Sequence, residues 1–341
     1  MNDVEAAGLI DIFRPPALPR SRGELSGALI ESLTELPGDV ELPAFRSSAD
    51  PLADEDLQLS LYVLYELHYR GFDGVDDSWE WNPDLLSLRA ELERVFLAAV
   101  HALVPERSAT PPEEVGEKLF ELAAADEGPS LSRFVEMRAS ADQLRELMIH
   151  RSAYQLKEAD PHTWAVPRIQ GEPKSAFLEI QNDEYGGGRA ERMHSLLFAR
   201  SMEAVGLDGT YGAYLDRIPA ISLATVNLVS LFGLHRRCRG ALVGHLAMVE
   251  IGSAIPSRRY GNAIRRLGLG TPAAVDFYDE HVEADSVHEN IAAYDMAQRL
   301  AVGEPELADD IIFGARALIA LDGLLAERML AAWESGESLL R

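Results

Sequence analysis

From Leu57 to the C-terminus the apolar residues of this chain return every three or four positions, and no run of alternating β-branched residues is long enough to build a sheet. A chain patterned this way buries its apolar surface as packed helices, so an all-α fold is expected. Leu57, Leu61, Leu64, Tyr65 and Leu67 mark one helix running to Arg70, closed by Gly71. Pro83 sits at the first turn of a second that reaches Leu103. Further helices are expected over 111–125, over 130–160 with a break near Ala139 and a stop at Pro161, and over 174–185 and 191–205. The remainder reads as Gly-punctuated apolar helices at 219–235, 238–254, 256–267, 273–303 and 305–338.

Residues 1–57 break the pattern, being rich in Pro and acidic residues. They read as a flexible arm with one short helix in SRGELSGALIESLTEL, between Pro19 and Pro37. At 341 residues the chain exceeds the roughly 100–200 typical of one domain, which suits a large helical body with an N-terminal extension. The 58–140 region is a candidate dimerisation element, and a homodimer is the expected assembly.

The formal charge of −25, from 56 acidic and 31 basic side chains, repels phosphate backbones and anionic lipid. Nucleic acid and membrane are therefore not expected as partners, and a small-molecule substrate is. Cys238 is the one cysteine, so neither an intramolecular disulfide nor a cysteine zinc cage is available. The N-terminus lacks a basic start followed by an apolar core, and a reducing, cytoplasmic location is expected.

The sharpest local signal is His281-x3-Asp285-x2-His288. At about 100° per residue, positions i, i+4 and i+7 fall within roughly 60° of one another, so one helix face offers two imidazoles and a carboxylate. Nitrogen and oxygen donors together suit non-haem iron, and also manganese or zinc. On a charged helix the same spacing is more often a solvated face, so other helices must supply partners. A di-iron(II) site carries four positive charges and calls for about four carboxylates. Glu158, Glu184, His194 and Glu250 are available. Glu250 weighs most, because a carboxylate among Ala, Leu, Met, Val and Ile is costly to bury without a partner.

YQLKEADPHTWAVPR, EIQNDEYGGGRAERMHSLLFA, the Glu250 helix and HVEADSVHENIA, with LYELHYRGF upstream, together resemble the haem-oxygenase-like di-iron oxidases and oxygenases. The resemblance covers about 145–305. It implies a haem-oxygenase-like helical bundle of about seven helices over 141–341. It further implies two Fe(II) ions with O2 as co-substrate, and the metal ligands Glu158, Glu184, His194, Glu250, His281, Asp285 and His288. Glu184, Glu250 and Asp285 are expected to act in catalysis as well. Other branches of the family place the second-helix Glu three residues before its His, which here is Glu191, so Glu184 and Glu191 both stand as candidates.

Gly186-Gly187-Gly188 costs a continuous helix roughly 2–3 kcal/mol, so a bend or loop is expected between Glu184 and His194. The triple glycine lacks GxGxxG spacing and a preceding strand, which excludes a dinucleotide fingerprint. His68, His101, His150, His162, His235 and His245 read as packed or surface residues. The basic stretch Arg236, Arg237, Arg239, Arg258, Arg259, Arg265 and Arg266 reads first as a solvated or ion-paired face and second as an anchor for a substrate carboxylate.

Overall fold

A computed structural model describes residues 14–46, 48–104, 109–125, 128 and 130–341, and gives the backbone alone for 284–287. The described elements are all helical, as the spacing of apolar residues requires. They are α1 (Glu24–Leu33), α2 (Glu55–Glu66), α3 (Pro83–Leu103), α4 (Val115–Ala124), α5 (Leu131–Met137), α6 (Ala141–Gln155), α7 (Asp160–Thr163), α8 (Gly171–Glu184) and α9 (His194–Ala204). After these come α10 (Ala220–Leu234), α11 (Arg239–Arg266), α12 (Pro272–Asn290), α13 (Arg299–Gly303) and α14 (Ala308–Glu334).

The axis of the bundle is α11, which runs along α14 on one side and α12 on another, with α4, α5 and α10 also against it. Two glycines set the closest of these crossings. A Cβ on Gly244 would overlap the Ile311 carbonyl oxygen, and one on Gly314 would overlap that of Ala241, so each helix lays its backbone on the other's. By length and composition α11 is apolar enough to cross a membrane, but 67% of that apolar window is buried inside the protein, the mark of a core helix. Helix α10 is buried almost all round and packs on α2.

Caps place several helix starts. Asp54, Asn82, Ser140 and Thr271 each accept backbone N–H groups from the turn they open, and Pro83 and Pro272 fill the first helical positions. The Asp56 carboxylate accepts from the backbone of Leu25 and Ser26 at the start of α1, and α1 buries Leu25, Leu29 and Leu33 against α2.

The helix expected to run to Arg70 ends at Glu66, and three further boundaries differ from the expectation. First, α6 stops at Gln155 instead of running on to Asp160, because Ala159 takes a left-handed conformation, φ 74°, that no helix continues. Second, α11 continues through Pro256, where two helices were expected. Neighbouring side chains there are only partly covered, so the carbonyl that Pro256 leaves without an N–H donor lies near solvent. Third, the expected helix over 273–303 widens to a π-helix over Ile291–Gln298, immediately after His288. In that widened stretch Tyr294 and Gln298 close on Gly116 of α4, where a Cβ would overlap both.

Candidate metal centre

Five elements deliver the acidic and imidazole side chains singled out by the sequence. Glu158 stands in the turn after α6, Glu184 ends α8, His194 opens α9, Glu250 lies midway along α11, and His281 and His288 lie on α12. All six are at most 8% exposed. Gly186, Gly187 and Gly188 all have positive φ, and this bend turns the chain so that Glu184 and His194, ten positions apart in sequence, meet at 3.0 Å. Glu191 is exposed, so Glu184 is the carboxylate beside His194. The backbone of Asp285 follows α12, but its side chain lies outside the described residues.

Glu158, Glu184, His194 and His281 each aim one ligand atom into a group whose atoms lie within 4.8 Å of one another. Glu158, Glu184, Glu250 and His281 share the lining of a void of about 10 Å³, room for roughly one water-sized species. Beside it His288 Nδ1 lies 3.3 Å from Glu250 Oε2.

The polar atoms here approach without bonding. Glu158 Oε2, Glu184 Oε2, His194 Nδ1, Glu250 Oε2 and His288 Nδ1 are buried with no hydrogen-bond partner. Four of these atoms face each other in two pairs, Glu184 with His194 and Glu250 with His288, whose geometry falls short of a hydrogen bond, and leaving buried polar atoms so poorly satisfied costs on the order of 1–3 kcal/mol. A bound cation removes that cost by accepting lone pairs from all of them. The donor set, carboxylate oxygen and imidazole nitrogen without sulfur, fits iron, manganese or zinc.

Two hydrogen bonds orient the imidazoles for such a role. His281 Nδ1–H donates to the Phe277 carbonyl at 2.8 Å, which leaves Nε2 facing Glu158. His288 Nε2–H donates to Asp183 Oδ2 at 3.0 Å, which leaves Nδ1 facing Glu250.

Electrostatics among these side chains follow from crowding. Burial pushes the Glu250 carboxyl up. Burial acts the same way on Glu184, but His194, His281 and His288 outweigh it and hold that carboxyl below its usual range. Burial disfavours the charged form of His288, yet Glu250 and Asp183 prevail and push it up to about 9.

Around this cluster the structure shows polar contacts that the sequence did not announce. His162 Nε2 and His245 Nδ1 lie 3.0 Å apart, and the Tyr154 hydroxyl lies 3.5 Å from His162 Nδ1. Burial holds both imidazoles neutral, with His245 lowered to about 4. Lys157, next to Glu158, is 1% exposed and donates to Glu66 Oε2 of α2 at 2.9 Å, and the Tyr211 hydroxyl donates to the same oxygen at 2.6 Å. Asp160, on the other side of the strained Ala159, accepts from the Tyr185 hydroxyl. The turn carrying Glu158 is therefore clamped at both ends. A buried lysine or histidine gives no periodic signal, so only coordinates reveal such partners. Spacing had set His162 and His245 aside as packing residues, and their burial against the cluster is the new fact.

The basic stretch is mostly tied down. Arg239 pairs with Glu304 and Arg265 with Asp279. Arg266 donates to the Val135, Glu136 and Ala139 carbonyls, and Arg259 donates to Ser130 and Ser132. Arg168 caps the last carbonyls of α10, those of Gly233 and Leu234.

The model of a family described as iron-containing redox enzyme matches residues 145–323, more than half of the chain and every element of the cluster. The chain belongs to this iron-containing redox enzyme family. Membership makes it a redox enzyme and agrees with the helical fold. Nitrosourea synthase from Streptomyces achromogenes subsp. streptozoticus is 28% identical over 137 residues, which is 40% of this chain and 29% of that protein. The chain thus spans less than a third of the length of that curated relative.

Proposed function

We propose that this iron-containing redox enzyme is a non-haem di-iron oxygenase or oxidase. It uses O2 to oxidise a small molecule, by N-oxygenation of an amine or guanidine or by oxidative C–H or C–C cleavage of an amino or fatty acid. The observation that carries the reading is the convergence of Glu158, Glu184, His194, His281, Glu250 and His288 on one buried spot, with five of their polar atoms lacking partners. Glu158, Glu184, His194 and His281 would hold one iron. Glu250 and His288 would hold the second, joined by Asp285 on the family resemblance. Two Fe(II) ions supply electrons for the reduction of O2.

The chain's own part is orientation and exclusion of water. The Phe277 carbonyl holds the proton of His281 on Nδ1, and Asp183 holds that of His288 on Nε2, so each ring keeps a lone pair for the metal. Leu246 and Val249 wall the void and keep bulk water away. The name of the related nitrosourea synthase favours N-oxygenation among the outcomes.

Anaerobic titration with Fe(II), followed by exposure to O2, tests the reading. About two irons per chain and rapid O2 uptake are expected. No iron uptake would instead favour a haem-oxygenase-like bundle enzyme without the di-iron centre. Two irons with no O2 uptake would favour a storage or interaction protein.

A further inference from the structure

Tyr154, Glu158 and His281 line the small void and also line a second cavity of about 540 Å³. That volume suits a small organic molecule. Much of its wall is apolar, including Met148, Val229, Met248, Val249 and Ile319. Set into this wall is an ion pair, with Arg151 Nη1 donating to Asp322 Oδ2 at 3.1 Å. Each of the two side chains is 30% exposed although both line the cavity, and neither hydrogen-bonds to another described side chain. The remaining Arg151 N–H groups and the second Asp322 oxygen are therefore available to a ligand. The Asp322 charge holds Arg151 firmly in its charged form.

A wall of this kind selects by charge. A lone carboxylate would gain Arg151 but sit against Asp322, and a lone ammonium would gain Asp322 but sit against Arg151. A molecule carrying both groups pairs each of its charges with the opposite one of these two residues. Arg259, the other guanidinium on the lining, is engaged by Ser130 and Ser132 and does not compete. Arg151 and Tyr154 of α6 and Glu158 of the turn after it all line this one cavity. A ligand anchored at the pair thus reaches the cluster through a chain of several atoms.

We propose that this cavity is the substrate site and that it takes a small zwitterion, an α-amino acid. Its carboxylate lies on Arg151, its ammonium on Asp322, and its side chain runs along the apolar wall toward the metal cluster. The assignment rests on reading that cluster as the reaction centre, and it narrows the substrate to one class.

Isothermal titration calorimetry on the metal-free 341-residue chain, with L-norleucine, hexanoate and pentylamine as probes, tests it. These three share a similar aliphatic chain and differ in carrying both charges, the negative one or the positive one. Norleucine is expected to bind at least tenfold more tightly than either analogue. Asp322→Asn should weaken norleucine at least tenfold and close its gap to hexanoate, while Arg151→Gln should weaken it as much and close the gap to pentylamine. Circular dichroism checks that each variant is folded, and the three-probe comparison on the unaltered chain stands even if one is not. The proposal is overturned if hexanoate or pentylamine matches norleucine, if none of the three binds at millimolar concentration, or if folded variants bind norleucine unchanged. Because iron is absent from the measurement, the two ideas fail separately. Norleucine preference without iron uptake would remove the di-iron reading, and iron uptake without that preference would remove the zwitterion site.

Discussion

Glu250→Gln separates a metal ligand from a structural carboxylate, because the two roles give opposite results with and without iron. Glu250 is 2% exposed, its Oε2 has no hydrogen-bond partner, and its near charged neighbour is His288 Nδ1 at 3.3 Å. Burial pushes this carboxyl toward its neutral form, but its charge also supports His288, and an isosteric amide keeps only an acceptor oxygen facing Nδ1. The metal-free variant should lose about 1–2 kcal/mol. Iron acts the other way. A metal present at a hundredfold over its Kd stabilises the folded chain by about 2.7 kcal/mol, and at roughly 2 °C per kcal/mol for a body this large the melting point rises about 5 °C. Glu250→Gln should lose half of that rise or more. The assay is a pair of anaerobic thermal melts, with and without Fe(II), on the native chain and the variant. A variant that keeps the whole iron-dependent rise would refute Glu250 as a ligand. One that loses more than about 3 kcal/mol without metal would show that the carboxylate serves the fold instead.

In the metal-free chain His288 is pushed up to about 9, so iron must displace its proton. Iron affinity should rise by up to roughly tenfold per pH unit from about 7 to 9 and then level, as read by competition with a chelator. The stability that His288 gains from its carboxylates is full below about 6.5 and is lost as pH rises through about 9, so metal-free melts should fall across that window. Gly244→Ala forces a methyl into the Ile311 carbonyl, where the backbone itself must give way, and should cost at least about 3 kcal/mol by chemical denaturation. Lys157→Met strands the fully buried Glu66 and should cost about 3–5 kcal/mol, whereas Lys157→Met combined with Glu66→Gln should recover part of that loss. A double variant that loses as much as the two single variants added together would mean the pair is not coupled.

Much of this was legible in sequence because helical periodicity is a strong, local signal. Pro83 placed the start of α3, whereas α2 ends at Glu66, well short of Gly71, and His281 with His288 lay at buried positions of α12 as their spacing required. The triple glycine announced the bend that joins Glu184 to His194, but not which of Glu184 and Glu191 the bend turns inward. That depends on three positive φ angles no pattern encodes. The end of α6 was missed because Ala159 is a good helix former, held in a left-handed conformation by tertiary clamps on Lys157 and Asp160. The passage of α11 through Pro256 and the π-helix after His288 are likewise imposed by neighbours. The arginines between 236 and 266 look like one basic patch in sequence, yet Arg239, Arg259, Arg265 and Arg266 each find a separate partner, and Arg151, outside that run, is the guanidinium paired with Asp322 in the cavity wall.

Diffraction at the iron absorption edge from crystals loaded anaerobically with Fe(II) tests the central claim most directly. Two anomalous peaks are expected, one among Glu158, Glu184, His194 and His281 and one between Glu250 and His288. Density confined to the protein surface, or a loaded crystal with no peak at these residues, would contradict it.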